Sequence, residues 1–152
     1  MTSDAIAAPA AAHRFPVRVY FEDTDAGGMA YHASYLRWAE RARTESLRDR
    51  GLPHALLTER HGLFLVVRRV EVSYLRPARL DEALVVETRV RRLAGASVDL
   101  QQDVVASAGE GGAPRASLRV GLVCVSRETL RPARLPDPWA SALREAVSAP
   151  PA

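Results

Sequence analysis

The feature that most limits what this chain can fold into is a period of two that runs through its second half. From Phe64 to Tyr74 the even positions read Phe64, Val66, Arg68, Val70, Val72 and Tyr74. The next segment gives Leu84, Val86, Thr88 and Val90, a third gives Val98, Leu100, Gln102, Val104 and Ala106, and a fourth gives Ala116, Leu118, Val120, Leu122 and Cys124. The odd positions carry Glu87, Arg89, Arg91, Asp99, Asp103 and Arg119. Successive side chains of a strand point to opposite faces, so this pattern predicts four long strands with one apolar face and one polar face. The links between them are short: a turn at Arg76–Asp81, a tight turn at Ala94-Gly95 and a hairpin loop at Gly109–Pro114. Short links join antiparallel neighbours, because parallel strands need long crossovers.

A sheet with one apolar face needs a cover. Ser34 to Arg50 is the one substantial helical stretch, with Tyr35, Ala39, Ala42 and Ser46 on one stripe and Leu36 and Leu47 beside it. It spans roughly 17 residues, about 25 Å at 1.5 Å per residue. Ser34 reads as its N-cap and Gly51 as the residue just past its end. Arg41–Glu45 and Glu45–Arg48 are at ion-pair spacing. The small residues of the stripe would let a sheet approach closely. Upstream, Val17–Phe21 has strand composition and residues 22–28, Glu-Asp-Thr-Asp-Ala-Gly-Gly, cannot form a regular element. A second short helix is expected at Asp137–Val147. Together these predict an α+β fold: an antiparallel sheet of about five strands curled around one long central helix, with exposed edges that invite pairing between subunits.

With 152 residues the chain suits one domain. Residues 1–14 read as a disordered arm, 15–135 as the folded unit and 136–152 as a short helix and tail. The Ala-rich start has no basic segment before it and is too weakly apolar for a signal peptide, which predicts a cytoplasmic protein. The longest stretch free of charged residues, Ala26–Leu36, has eleven residues, well short of the roughly 20 that cross a membrane. The single cysteine, Cys124, excludes an internal disulfide framework and is expected to be buried and inert. All 21 basic residues are arginine, which excludes a Schiff-base or P-loop lysine. That bias, with the many alanines, reads mainly as a GC-rich coding sequence. Arginine's planar fork nevertheless suits carboxylate and phosphate ligands. Acidic and basic residues are interleaved, and no basic run indicates nucleic-acid binding.

Most chemical motifs are absent. There is no Gly-x-Ser-x-Gly elbow. The glycines of 109–112 join two strands and open no helix, so they read as a hairpin tip and not a phosphate cradle. His54 and His61 lack a third ligand in register, and no metal site is expected. The 22–35 segment is different. Glu22, Asp23 and Asp25 crowd together, Gly27 and Gly28 follow, and then come Tyr31, His32 and the helix start. Unpaired N–H groups at a helix start can receive a developing oxyanion, and a nearby carboxylate can act as nucleophile or general base. His32 could steer a water or stabilise charge. Acids near a helix start also simply stabilise its dipole, and the spacing alone leaves both readings open.

The stretch VRVYFEDTDAGGMAYHASYLRWAERARTESLRDRGL, residues 17–52, resembles the YbgC-type acyl-CoA thioesterases. These form part of the hotdog-fold 4-hydroxybenzoyl-CoA thioesterase group and are often encoded with the Tol-Pal envelope system. FLVVRRVEVSYLRPARLDEALVVETRV, residues 64–90, resembles the family's second strand, Pro-Ala turn and third strand. The resemblance spans about residues 15–130. It implies acyl-CoA hydrolysis to a free acid and CoA, without metal or bound cofactor, with Asp25 and His32 as the catalytic residues. The backbone donor to the thioester carbonyl falls at the helix start, near His32. Gly28 and Tyr31 fall at the substrate, and Arg68, Arg76 and Arg79 are phosphate-docking candidates for CoA. The family commonly has Tyr-Tyr where this chain has Tyr20-Phe21, so a hydroxyl at position 21 is absent. The resemblance also implies a homodimer or homotetramer with sites between subunits, and a functional link to the Tol-Pal system. Two competing readings are a non-catalytic hotdog protein that binds an acyl chain or an envelope-assembly partner, and a dehydratase of the same fold.

Overall fold

The alternating segments pair into one antiparallel sheet. The computed structural model of the chain describes residues 11–108 and 113–147. Strand β1 is His13–Arg18, β2 Leu63–Tyr74, β3 Ala83–Ala94, β4 Ser97–Ala106 and β5 Ala116–Ser126, in the order β1-β3-β4-β5-β2. Helix α1 is Ser34–Asp49, α2 His54–His61 and α3 Trp139–Glu145. This is the α+β arrangement expected of a hotdog fold. Gly95, at φ 58°, turns β3 into β4 as the tight link required. Of the loop expected at 109–114, residues 109–112 lie outside the described residues, as do residues 1–10 of the expected arm.

Helix α1 packs its small-residue stripe on the apolar face, chiefly against β1 and β3. Ala39 and Ala42 are fully buried there, and Trp38 is buried with them. The amide of Gln102 on β4, itself without solvent exposure, donates to the Ala39 carbonyl at 2.9 Å and to Thr88 Oγ1 at 3.0 Å. Its place on the predicted apolar face is therefore satisfied by a helix carbonyl rather than by water. Gly51, at φ 74°, ends α1: its N–H donates to Arg48 O and that of Leu52 to Leu47 O, closing a left-handed C-terminal cap. The Glu45–Arg48 pair forms. Ser34 does not cap the helix as expected; its hydroxyl donates to Asp23 O at 2.9 Å and holds the preceding loop instead.

Four further expectations need correction. The first strand begins at His13 rather than Val17 and inside the expected arm. It ends at Arg18 because the Asp23 carboxylate accepts the Tyr20 N–H and curls Phe21–Asp23 into a 3-10 turn. Helix α2 was not anticipated. Pro53 opens it and Gly62, at φ 63°, closes it, and it covers the β2 end of the sheet. Helix α3, the second short helix expected at 137–147, adds to the core beside α1: Trp139 and Leu143 belong to it, and the Trp139 indole donates to Leu52 O. Finally, β2 does not keep one phase. Arg68 is an extra, bulged residue, so Leu63 and Leu65 face the core before it and Val70 and Val72 after it. Arg91 bulges β3 in the same way, between Val90 and the inward Leu93.

Partial burial at the start of α2 pushes the His54 imidazole below its usual value, with nearby Glu40 opposing and Arg43 and Arg48 adding to the shift. The unfolded chain therefore takes up this proton first, and folded stability contributed by neutral His54 is present above about pH 6.5 and lost as the pH falls below it. Urea unfolding of the wild type and of His54→Gln should show the wild type losing ground to the variant between about pH 7.5 and pH 5.5. A constant difference across that window would show that His54 is not the group responsible.

Candidate active site

The loop between β1 and α1 is a small knot tied by two aspartates with opposite environments. Asp23 is buried, with 7% of its surface exposed. Its carboxylate accepts the Tyr20 N–H at 2.8 Å, and its carbonyl accepts both the Tyr31 N–H at 2.8 Å and the Ser34 hydroxyl. These bonds fasten the two ends of the loop to each other and to the start of α1. Between them Thr24 pairs with Ala30, and Asp25 N–H donates to Met29 O at 2.8 Å.

Asp25 is exposed at the tip of this knot. Its Oδ1 accepts the Gly27 N–H at 2.8 Å and the Met29 N–H at 3.3 Å. Among the described residues its Oδ2 accepts nothing. One oxygen thus fixes the carboxylate and the other is left for an incoming group. Gly28 holds φ 75°, which disfavours any side chain, and its α-carbon faces open space. The loop lies along the 78–80 turn, where Ala30 N–H donates to Ala78 O and Leu80 N–H to Gly28 O.

The start of α1 has no side-chain cap. Among the described residues the N–H groups of His32, Ala33 and Tyr35 find no acceptor, as the first turn of a helix predicts. Tyr31 and His32 are exposed with their rings 4.2 Å apart. No hydrogen bond links His32 to Asp25, so the structure sets them on one loop without making them a pair. The Tyr74 hydroxyl, at the end of β2, donates to the His32 carbonyl at 2.8 Å. In a trans peptide the C=O and N–H point opposite ways, so this bond also aims the Ala33 N–H. Tyr35, buried beneath, accepts the Ala78 N–H at 3.2 Å, and burial raises its hydroxyl pKa.

Asp25, Gly28, Tyr31 and His32 are therefore carried on the one stretch that runs from β1 into α1, and Arg79, whose backbone bridges Met29, and Arg76 are on the adjoining turn. Arg68 is not. It sits six residues up β2 from Tyr74, about 20 Å at strand spacing, on the bulge. Tyr74, Asp23 and Ser34 hold the site together. From the sequence Ser34 is expected only as an N-cap and Asp23 only as one of three clustered acids, and Tyr74 carries no signal beyond ending the β2 stripe. Cys124 is buried, and burial raises its thiol pKa, as expected of an inert cysteine.

A family model described as the thioesterase-like superfamily matches residues 19–144. An acyl-CoA thioester hydrolase YbgC from Escherichia coli O157:H7 is 43% identical over 124 residues, 81% of this chain and 89% of that protein. An acyl-CoA thioesterase YbgC from Haemophilus influenzae is 49% identical over 88 residues, 58% of this chain and 65% of that protein. The crystal structure of a probable thioesterase from Bartonella henselae superimposes with a TM-score of 0.74 at 39% identity, covering 83% of this chain and 100% of that one. The chain belongs to the thioesterase-like superfamily, as a YbgC-type member with the hotdog fold.

Proposed function

We propose that this protein hydrolyses acyl-CoA thioesters to a free acid and CoA, with Asp25 as the reacting carboxylate. Family membership supports the reaction class, and one observation carries the assignment of the residue. Asp25 is held through Oδ1 by two backbone N–H groups while Oδ2 is free on an exposed residue of the loop that leads into the unpaired N–H groups of the α1 start. Those donors receive the thioester oxygen as it gains charge. Oδ2 serves either of two routes. It attacks the carbonyl carbon, expels the CoA thiolate and leaves a mixed anhydride that water then cleaves. Alternatively, it takes a proton from a water that attacks the same carbon. Both use only groups of the chain and water, with no metal or cofactor.

Within this reading, His32 supports the chemistry through its backbone and by its ring steering the attacking water, and Gly28 and Tyr31 border the acyl group. Arg76 and Arg79 on the adjoining turn take up CoA phosphates, for which the guanidinium fork is suited. The exposure of Asp25 in a single chain fits a site finished by a second subunit, and the long edge strand β2 offers a place for pairing. We place the reaction in the cytoplasm, coupled to the Tol-Pal system, on the strength of the YbgC resemblance alone.

Asp25→Asn should fold as the wild type does and lose at least about 100-fold in turnover on a panel of acyl-CoAs followed by thiol release. Near-normal turnover in the folded variant would remove Asp25 from the mechanism and favour a non-catalytic acyl-binding role. His32→Ala should lose markedly less than Asp25→Asn in the same thiol-release assay. An equal loss in the folded variant would make the two residues one catalytic unit. The assembly expected is a homodimer or a tetramer of dimers. Light scattering at micromolar concentration that found only the 16.6 kDa species would exclude it.

A further inference from the structure

The sheet face turned away from the helices carries a hollow whose lining contains none of Asp25, Gly28, Tyr31 and His32. It has a volume of about 560 Å³, within the usual range for small-molecule sites. Its floor is Gly121 on β5. Across the sheet Gly121 stands between Arg69 on β2 and Asp99 on β4, so the missing side chain opens a gap in an otherwise continuous row. A β-carbon there would meet only Asp99 Oδ1 at 3.6 Å and Arg69 at 3.7 Å, ordinary contact distances.

The rim is basic. Arg68 and Arg91 both line it, and these are the two residues that the bulges of β2 and β3 insert. A bulge re-aims a side chain at the cost of ladder pairing, and here two bulges on different strands deliver an arginine to the same hollow. Arg119 on β5 stands beside the floor. Four arginines and two acids, Glu71 and Asp99, line the hollow. Arg69 is spent on Glu71 at 2.5 Å. Among the described residues Arg68, Arg91 and Arg119 form no ion pair. Three unpaired guanidinium groups around a vacant floor are a recognition surface for an anion with several oxygens on one centre, which each fork can meet with two donors.

We infer that this hollow binds a phosphate-bearing ligand through Arg68, Arg91 and Arg119. Its chemistry is shared by two sources: the phosphates of a CoA substrate and a free phosphorylated molecule acting as an effector. The hollow lies on the face opposite α1, and binding there requires no turnover, so the inference stands or falls separately from the catalytic role of Asp25.

The probe is inorganic pyrophosphate, titrated calorimetrically into the full chain at low salt. The wild type should bind it saturably. Arg91→Gln/Arg119→Gln should bind at least about tenfold more weakly at an unchanged unfolding midpoint. The single Arg119→Gln variant provides the same comparison should the double variant fold poorly. Raising the salt should weaken binding, since Arg68 and Arg119 are exposed and Arg91 is only half-buried. If saturating CoA removes the pyrophosphate signal and the double variant raises KM for acyl-CoA at constant kcat, the hollow receives the substrate's phosphates. If CoA leaves the signal intact, the ligand is a separate phosphorylated effector. No saturable binding by the wild type, or equal binding by the folded variants, would overturn the inference.

Discussion

Everything in this molecule depends on covering one dry face of one sheet. The inward residues of β3, β4 and β5 are almost all apolar and fully buried, and they would face water without α1 against them. Burying them is worth on the order of 1.5–3 kcal/mol for each large side chain. Ala39 and Ala42 let the helix backbone come close enough for the Gln102 amide to reach the Ala39 carbonyl. That bond is made in a place without water, where an unpaired amide would be costly. It therefore selects the helix position that satisfies it. Fixing α1 on the sheet also fixes where α1 begins, and the start of α1 is the active-site candidate.

The loop before α1 divides two tasks between two aspartates. Asp23 turns inward and spends its carboxylate and its carbonyl on three donors, which closes the loop. Asp25, two residues on, turns outward and spends only one oxygen. The role proposed for Asp25 needs a carboxylate held still without being consumed, since every donor on its second oxygen would lower its reactivity and block approach. The neighbouring glycines make this affordable in space. Gly27 leaves its N–H at the Asp25 oxygen, and Gly28 supplies the positive φ that turns the chain back. Ser34 completes the division by holding Asp23 instead of capping the helix, and among the described residues the N–H groups of His32, Ala33 and Tyr35 have no acceptor.

The parts of this design legible in the sequence are those written as a period. Alternation over β3, β4 and β5 gives the inward residues, and a stripe of Tyr35, Ala39, Ala42 and Ser46 gives the covering helix, since each residue contributes to the same signal. The candidate segment is legible for a different reason: its irregular polar spacing fits a helix-dipole role as well as catalysis, and the resemblance to the YbgC-type thioesterases is what points to Asp25 and His32. Helix α2 escapes because its eight residues carry little one-sided pattern and because His54 and His61 invite a question about metals instead of structure. Tyr74 escapes because a hydroxyl on an apolar stripe gives no hint of the carbonyl it will meet. Asp23 and Asp25 look alike in sequence, and only the curl of the chain at Tyr20–Asp23 buries one and exposes the other.

The bulges show the limit of periodic reading most clearly, and they have a physical meaning. A strand that keeps strict alternation ties the two faces of the sheet together: whatever packs inside decides what stands outside. One inserted residue breaks that tie. Arg68 lets Leu63 and Leu65 face the core on one side of it and Val70 and Val72 on the other, while its own side chain is released to the surface. Arg91 does the same on β3, and Leu93 returns to the core after it. In both strands the core stays apolar through the phase change, so the insertion is matched by the residues around it. A bulge costs ladder hydrogen bonds and re-aims the side chain that it inserts. That both inserted residues are arginine, and that both open onto the gap above Gly121, is what distinguishes a shaped outer face from an accident of register.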